Sequence, residues 1–284
     1  MSAQILSGKT MSEELRKDIS SRVSALKERG ITPGLAVILV GNDPASEIYV
    51  RNKGNGCAEV GMYSRTINMP AETTQEELEN AIEELNADSA IHGILVQLPL
   101  PSQLDEQEVI RAIDPAKDVD CFTPVNVGLL ATGRPVFAPC TPAGIVRLIK
   151  ANGIDISGKE VVIVNRSNIV GKPLMHLMLM ENATVTVAHS RTADLRAVCR
   201  RADILVAAVG RREMFDESYV KPGAVVIDVG VNRKEDGKLA GDVAFDSVAP
   251  IASAITPCVG GVGPMTRAIL MENTVRAAEM NGRK

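Results

Sequence analysis

The chain of 284 residues is poor in aromatic residues: it has no Trp, three Tyr and four Phe. A protein that binds single-stranded nucleic acid by stacking needs more aromatic rings than this. A basic excess is also absent, because 31 Lys and Arg stand against 35 Asp and Glu, a formal net charge of −4. Since cationic surfaces bind phosphate backbones, this charge balance argues against a nucleic-acid partner.

Long apolar runs and clustered metal ligands are lacking as well. The chain has no run of 18 apolar residues, and its N-terminal segment soon becomes charged, so we expect neither a membrane span nor a signal peptide. The five cysteines contain no CxxC pair and the three histidines no HExxH, so nothing indicates a metal site. We therefore expect small buried thiols in a cytoplasmic protein.

The apolar residues that are present alternate between short β-branched runs and helical segments. The runs that predict strands are 35–40, 64–69, 93–100, 161–165, 184–189, 203–210 and 224–230. Helices are predicted after the capping residues Thr10, Asp43 and Thr74, and over 142–152, from Gly171 and over 265–280. This alternation predicts two α/β domains with parallel sheets, the second of them Rossmann-like and doubly wound.

The predicted domain boundary lies in residues 114–142, where prolines and glycines are dense enough to predict a loop. The first domain is expected to span 1–140 and to be completed by the last helix, 265–284. The second is expected to span 141–264.

The loop after the first strand of the second half is a candidate nucleotide site. Its sequence, VNRSNIVGKP (164–173), has Arg166 and Ser167 after a buried strand and Gly171 at a helix start, but it lacks GxGxxG. An ordinary strand-to-helix connection is the alternative, and the loop alone leaves both open.

The end of the next strand favours NADP. NAD-binding proteins normally have a carboxylate here for the ribose hydroxyl, whereas this chain has Ser190 and Arg191 and no acid before Asp194. A guanidinium suits the ribose 2′-phosphate of NADP. The alternative is a solvated surface arginine.

A candidate reacting centre begins with Tyr49 and Lys53, which share one helix face at i, i+4. Gln97 lies in an otherwise apolar run, where an amide needs a partner or a task. Asp118 and Asp120 lie close together in a loop, and VGGVGPM (259–265) supplies a glycine-rich backbone that could approach a ligand. Each feature also has a purely structural interpretation: a surface lysine, a satisfied core amide, turn carboxylates or a tight turn.

Several long blocks in one order resemble the bifunctional methylenetetrahydrofolate dehydrogenase/cyclohydrolase family along nearly the whole chain. The blocks are SEIYVRNK (46–53), GILVQLPLP (93–101), DPAKDVDCFTPVNVG (114–128), PCTPAG (139–144), VNRSNIVGKP (164–173) and TPCVGGVGPMT (256–266). The resemblance implies two domains with the active site in the cleft between them. It also implies a homodimer that oxidises 5,10-methylenetetrahydrofolate with NADP, NAD being possible, and then hydrolyses the product to 10-formyltetrahydrofolate.

The resemblance assigns roles to residues of this chain. Lys53 is expected to be the central catalytic group, held by Gln97, while Tyr49 stacks on the folate and Asp120 binds the pterin. The further substrate-binding residues that it implies are Leu98, Pro99, Gly261 and Pro264. The cofactor-binding residues that it implies are Asn165, Arg166, Ser167, Ser190, Arg191, Val209, Gly210, Val231 and Thr266.

Four positions depart from the family's usual pattern. Asn165 and Cys121 each replace a glycine. Thr123 replaces a common histidine, and Val259 replaces a proline. Asn165 is expected to crowd the pyrophosphate turn.

Other functions are compatible with parts of the sequence. A short-chain dehydrogenase also uses Tyr-x-x-x-Lys, but there the pair follows the nucleotide loop, and here it precedes that loop by more than a hundred residues. A nucleotide-sensing module without catalysis, a monofunctional dehydrogenase and an NAD-preferring enzyme are the remaining alternatives. Lysine normally has a pKa of ~10.4. Hydrolysis at neutral pH therefore requires the pKa of Lys53 to be lowered, either by desolvation or by the positive charge of the bound substrate.

Overall fold

The computed structural model describes residues 3–282, apart from the side chain of residue 45. The chain divides into two compact units. The six-stranded unit consists of the residues up to Glu13 together with Thr141–Thr266, and the three-stranded unit of Glu14–Cys140 together with the residues from Arg267 onward. Each unit carries its own parallel sheet, which confirms the predicted α/β class. The limits predicted for the folate and cofactor domains stay predictions.

Regular elements account for most of the two units. The strands are β1 (Gln4–Ile5), β2 (Gly34–Val40), β3 (Tyr63–Met69), β4 (Gly93–Val96), β5 (Glu160–Val164), β6 (Thr184–Ala188), β7 (Ile204–Ala207), β8 (Val225–Asp228), β9 (Asn232–Arg233), β10 (Leu239–Ala240) and β11 (Ala254–Ile255). The α-helices are α1 (Gly8–Glu28), α2 (Pro44–Glu59), α3 (Gln75–Ala87), α4 (Glu106–Ala112), α5 (Pro124–Ala131), α6 (Cys140–Ala151), α7 (Gly171–Met180), α8 (Leu195–Cys199), α9 (Phe245–Val248) and α10 (Val262–Asn281). No helix within residues 3–282 combines the length and the apolar character that crossing a bilayer requires.

The sheet of the three-stranded unit has the order β3-β2-β4, with both pairs parallel. All seven residues of β2 are buried because a strand flanks it on each side and helices cover the sheet. On one face Ala36 and Ile38 pack in a common core with Leu78, Ile82 and Leu85 of α3. The start of that helix is set by the predicted cap Thr74, which forms a reciprocal capping box with Glu77.

The sheet of the six-stranded unit has the order β1-β11-β8-β7-β5-β6, and every neighbouring pair is parallel. Alternate residues of β5 enter two different cores: Val162 and Val164 join one, and Val161 and Ile163 join the other. The sheet is therefore covered on both faces, which explains the continuous apolar runs in its central strands β5 and β7. The strand β1 was not predicted.

The structure corrects two predicted helix starts and one predicted loop, each for a local reason. The first helix begins at Gly8, where the Ser7 hydroxyl accepts from the Thr10 amide, so Thr10 is not the cap. Within the predicted loop 114–142, Pro124 begins α5 behind the capping residue Thr123. Proline fits the first helical turn, and here it marks a start and not a break. The last helix begins at Val262, so Pro264 lies in its first turn.

Candidate active site

Helix α2 carries two of the predicted site residues on one face. Its start is fixed by Asp43, whose carboxylate accepts from the Ser46 amide at 2.8 Å. Tyr49 is 47% exposed, whereas Lys53, one turn further on, is partly buried. The helix therefore presents an accessible ring beside a sheltered amine.

Gln97 meets that amine directly. The strand β4 ends at Val96, one residue before Gln97 and earlier than predicted, although the Gln97 amide still donates to the Ile38 carbonyl at 2.9 Å. The side-chain Nε2 donates to the Leu98 carbonyl at 2.7 Å, and Oε1 accepts from Lys53 Nζ at 2.9 Å. The carbonyl contact fixes the orientation of the amide, so its oxygen faces the lysine.

The environment of Lys53 shifts its protonation in the expected direction. Burial lowers the pKa of Lys53 below its ordinary value, and the negative charge of Asp120 opposes this shift. Gln97 is neutral, so it positions the amine without adding a charge that would raise the pKa further.

Asp120 shares this environment with a cysteine. Burial raises the pKa of the Asp120 carboxyl, while the charge of Lys53 and a hydrogen bond with Cys140 lower it. The pKa of the Cys140 thiol is raised by burial and by the nearby carboxylate, and its Sγ–H donates to the Val119 carbonyl at 3.5 Å. We call Lys53, Gln97, Asp120 and Cys140 the lysine cluster.

A buried amide from α10 ties together the two segments that carry Asp120 and Cys140. Asn273 Nδ2 donates to the Val119 carbonyl at 2.8 Å and to the Ala138 carbonyl at 2.9 Å. It also lies 3.8 Å from the Cys140 sulfur. Asn273 is therefore the support that holds these two loop segments in register.

Asp118, in contrast, is a structural carboxylate. It accepts from the amides of Phe122 and Thr123 and from Asn126 Nδ2, at 2.8–3.0 Å. These bonds close the turn that leads into α5. Of the two aspartates predicted in this loop, only Asp120 belongs to the lysine cluster. Leu98 is half-buried and Pro99 exposed, directly after Gln97.

Except for Thr266, which lies in α10, the predicted cofactor residues follow four neighbouring strands, β8-β7-β5-β6. The segments 165–171, 189–191, 208–210 and 229–232 follow β5, β6, β7 and β8 respectively, and we call them the edge loops. Because parallel strands end at the same edge, the structure brings these residues together at the carboxyl edge, where α/β sheets bind ligands. Arg166, Ser190 and Arg191 are exposed there.

The side chain of Asn165 is an internal support of its loop, and the expected crowding of the pyrophosphate turn stays a prediction. Its Oδ1 accepts from the Ser167 amide, the Ser167 hydroxyl and the Gly171 amide at 2.7–3.0 Å, and its Nδ2 donates to the Ala208 carbonyl. A Cβ on Gly171 would lie 2.0 Å from the Asn165 carbonyl oxygen, so the loop requires glycine there.

The glycine-rich segment near the C-terminus is packed tightly against its own chain. A Cβ on Gly261 would lie 2.2 Å from the Pro257 carbonyl oxygen, and one on Gly8 would lie 1.8 Å from the Gly261 carbonyl oxygen. Thr266, in α10, has its hydroxyl 3.0 Å from that of Thr141. Gly261, Pro264 and Thr266 all belong to the six-stranded unit.

Sequence reasoning missed four buried polar residues near these sites: Cys140, Asn273, Asp228 and Asp242. Asp228 gave the same signal as Gln97, a polar residue in an apolar strand run, and could have been found by it. Asp242 accepts from the amides of Val209 and Gly210 in the edge loops. Cys140, Asn273 and Asp242 carry no local signal, because their partners lie far away in the chain.

The six-stranded parallel sheet with polar loops at its carboxyl edge defines the class of dinucleotide-binding α/β proteins. Two family models match the chain: the tetrahydrofolate dehydrogenase/cyclohydrolase catalytic domain over residues 6–120, and the NAD(P)-binding domain of the same family over residues 139–282. The chain belongs to the tetrahydrofolate dehydrogenase/cyclohydrolase family.

Individual relatives agree with this assignment over their full length. The bifunctional protein FolD of Acetivibrio thermocellus is 57% identical over 283 residues, which cover 100% of this chain and 99% of the relative. The crystal structure of the bifunctional enzyme FolD from Campylobacter jejuni is 45% identical with a TM-score of 0.97, covering 98% of this chain and 99% of that one. The Trypanosoma brucei FolD structure, complexed with NADP and an inhibitor, is 38% identical with a TM-score of 0.96 and covers both chains completely.

Proposed function

We propose that the chain oxidises 5,10-methylenetetrahydrofolate to 5,10-methenyltetrahydrofolate with NADP and then hydrolyses the product to 10-formyltetrahydrofolate. Membership of the dehydrogenase/cyclohydrolase family supports both activities. The observation that carries the proposal in this chain is the 2.9 Å hydrogen bond between Lys53 and Gln97, since it holds a desolvated amine in place for proton transfer.

The residues of the edge loops fit NADP. Arg166 and Arg191 are exposed cations, Ser190 offers a hydroxyl, and β6 is not followed by the carboxylate that would bind an unphosphorylated ribose. When bound, NADP would supply the oxidant that accepts a hydride from the one-carbon bridge of the folate. In this proposal Arg191 and Ser190 hold the ribose phosphate, and Arg166 and Ser167 the pyrophosphate.

The other predicted cofactor residues are proposed as lining groups. Val209, Gly210 and Val231 would contact the cofactor from the remaining edge loops, Asn165 would shape the pyrophosphate turn, and Thr266 would lie beside the cofactor.

Lys53 is proposed to transfer the protons of the hydrolytic reaction. Water addition to the methenyl cation and opening of the ring both need a group that gains and loses a proton near neutral pH. Burial favours such exchange of a proton by lowering the pKa of Lys53, and the approach of a cationic substrate would lower that pKa further. Gln97 keeps the amine aimed while leaving it free to change charge.

Asp120 and Tyr49 are proposed to bind the folate. A carboxylate can accept two hydrogen bonds from the amino edge of a pterin, and the half-exposed Tyr49 ring offers a surface for stacking. Leu98, Pro99, Gly261 and Pro264 are proposed as further folate contacts. A homodimer and a cytoplasmic location also remain proposals, which the family resemblance supports.

The decisive experiment replaces Lys53 by Met and measures the two reactions separately. NADPH formation from methylenetetrahydrofolate reports oxidation, and the loss of methenyltetrahydrofolate absorbance reports hydrolysis. We expect Lys53→Met to lower hydrolytic kcat at least 1000-fold, the scale of a lost acid–base group. Arg51→Met, on an exposed residue of the same helix, is the matched control and should retain both activities. Substantial hydrolysis by Lys53→Met would remove lysine from this role, and a wild-type chain without NADPH formation would refute the proposed oxidation.

A further inference from the structure

Two fully or nearly buried carboxylates lie behind the edge loops, in a region that the proposed mechanism does not use. Asp242 is 0% exposed and Asp228 is 5% exposed. Neither residue was predicted from sequence. Their partners include backbone amides of loops that carry predicted cofactor residues, and this connects them to ligand binding.

Asp242 holds two of those loops at once. Its Oδ2 accepts from the consecutive amides of Val209 and Gly210, at 2.6 and 2.9 Å. Its Oδ1 accepts from Asn232 Nδ2 at 3.0 Å, in the segment that directly follows Val231. One carboxylate therefore ties together the loops that follow β7 and β8.

Asp228 positions Asp242 in turn. Its carboxylate accepts from the amides of Gly230, Asp242 and Val243 at 2.9–3.1 Å. A Cβ on Gly241 would lie 1.6 Å from Asp228 Oδ2, and one on Gly230 would lie 2.2 Å from Asp242 Cγ. Only glycine permits this close approach of backbone to carboxylate.

The loop residues that Asp242 holds are more exposed than Asp242 itself. Gly210 and Val231 are exposed, and Val209 is half-buried, although the carboxylate that holds their loops is inaccessible. Because the amides of Val209 and Gly210 both donate inward, their peptide planes cannot rotate freely. The exposed face of these loops is therefore rigid before any ligand arrives, which reduces the entropy lost on binding.

We propose that Asp242 is a positioning residue for the dinucleotide, which it does not touch: its buried carboxylate holds the loops of Val209, Gly210 and Val231 in the binding conformation. This inference rests on the proposed function, since it concerns the same cofactor. The added role is preorganisation: the carboxylate of Asp242 fixes the loops that follow β7 and β8 before the cofactor binds.

The test is a reciprocal exchange of Asp242 and Asn232. Asp242→Asn keeps the shape and an acceptor for the two amides, but it loses the charge and turns an amide towards Asn232 Nδ2. We expect the Kd for NADPH, measured by fluorescence titration, to rise at least 10-fold. The kcat at saturating NADP and the KM for folate should change less than 3-fold. In the double variant Asp242→Asn with Asn232→Asp, the new amide at position 242 can donate to the new carboxylate at position 232. Part of the affinity for NADPH should therefore return.

Further measurements separate positioning from simple stabilisation. Asp246→Asn, an exposed aspartate four residues on, is the matched control and should leave the Kd unchanged. Amide hydrogen exchange at Val209 and Gly210 should accelerate in Asp242→Asn without ligand. Should that variant not fold, Asn232→Ala carries the test, with an expected 2- to 5-fold rise in Kd.

The outcomes distinguish this inference from the proposed function. A wild-type chain that fails to bind NADPH would refute the proposed cofactor. A wild-type chain that binds NADPH while Asp242→Asn, or Asn232→Ala in its place, binds equally well would overturn the positioning role alone. A lower melting temperature with an unchanged Kd would also overturn it, because it would show a purely structural carboxylate.

Discussion

The lysine cluster and the edge loops are prepared for their ligands in different ways. In the lysine cluster, side chains from α2, the end of β4, a loop and the start of α6 converge, and burial shifts the pKa values of Lys53, Asp120 and Cys140. In the edge loops, the inward-facing side chains of Asn165 and Asp242 hold the backbone, while the cations stay exposed. The difference teaches that proton transfer needs a buried side chain with a shifted pKa. Phosphate recognition instead needs a backbone held in place, with exposed cationic side chains beside it.

The largest effect is expected when the carboxylate of the lysine cluster is removed. We expect Asp120→Ala to raise the KM for folate about 100-fold, which corresponds to roughly 3 kcal/mol for a lost charge-assisted contact. The Kd for NADPH should stay within 3-fold of wild type, because the edge loops are built independently. Steady-state kinetics and NADPH titration measure the two quantities. Glu72→Ala removes an exposed carboxylate and serves as the control; unchanged folate affinity in Asp120→Ala would contradict the proposed pterin contact.

A milder change at the same residue tests the tuning of Lys53. The Asp120 charge raises the pKa of Lys53, so Asp120→Asn should lower that pKa and leave more neutral amine at a given pH. If neutral lysine is the active form, the rising limb of hydrolytic kcat against pH should move to lower pH. A limb that stays in place would show that the two groups do not titrate together.

Local patterns made most of the three-stranded unit predictable. The strand 35–40 and the caps Asp43 and Thr74 follow from apolar runs and capping chemistry, which act over a few residues. Gln97 was found because a polar residue in an apolar run needs a partner. The start of α1 was missed because Ser7 and Thr10 both suit a cap, and in the structure the Ser7 hydroxyl is the acceptor for the Thr10 amide.

Long-range partners made the rest unpredictable. The pairing of β1 with β11 joins residues about 250 positions apart, and a two-residue strand has no periodicity to detect. Asn273 lies in a helix whose sequence gives no indication that its amide serves Val119 and Ala138. The inward orientation of Asn165 depends on the position of Ala208, in the edge loop that follows the neighbouring strand β7. Such contacts are specified by the complete fold.

A backbone-level change should affect the edge loops far more than a matched change elsewhere. Gly171→Ala places a methyl group where the Asn165 carbonyl oxygen lies, so we expect a loss of about 2 kcal/mol in stability and weaker NADPH binding. Gly128→Ala, in α5, meets no atom within 4 Å and should gain roughly 0.5–1 kcal/mol from helix propensity. Thermal unfolding and NADPH titration of both variants give the comparison. Equal stability of the two would show that the loop of Asn165 is not tightly held.

The smallest effect is expected from an exposed cation of the edge loops. Arg191 is solvated before the cofactor arrives, so Arg191→Ala should leave stability unchanged and raise the KM for NADP only about 10-fold, roughly 1.4 kcal/mol. The KM for NAD should not change, since NAD lacks the ribose phosphate, and Arg200→Ala, at the exposed end of α8, controls for net charge. An equal loss for NAD and NADP would place Arg191 at the shared pyrophosphate. That outcome would still leave the backbone of the edge loops as the fixed part of the site, but the preference for NADP would then have to come from another residue.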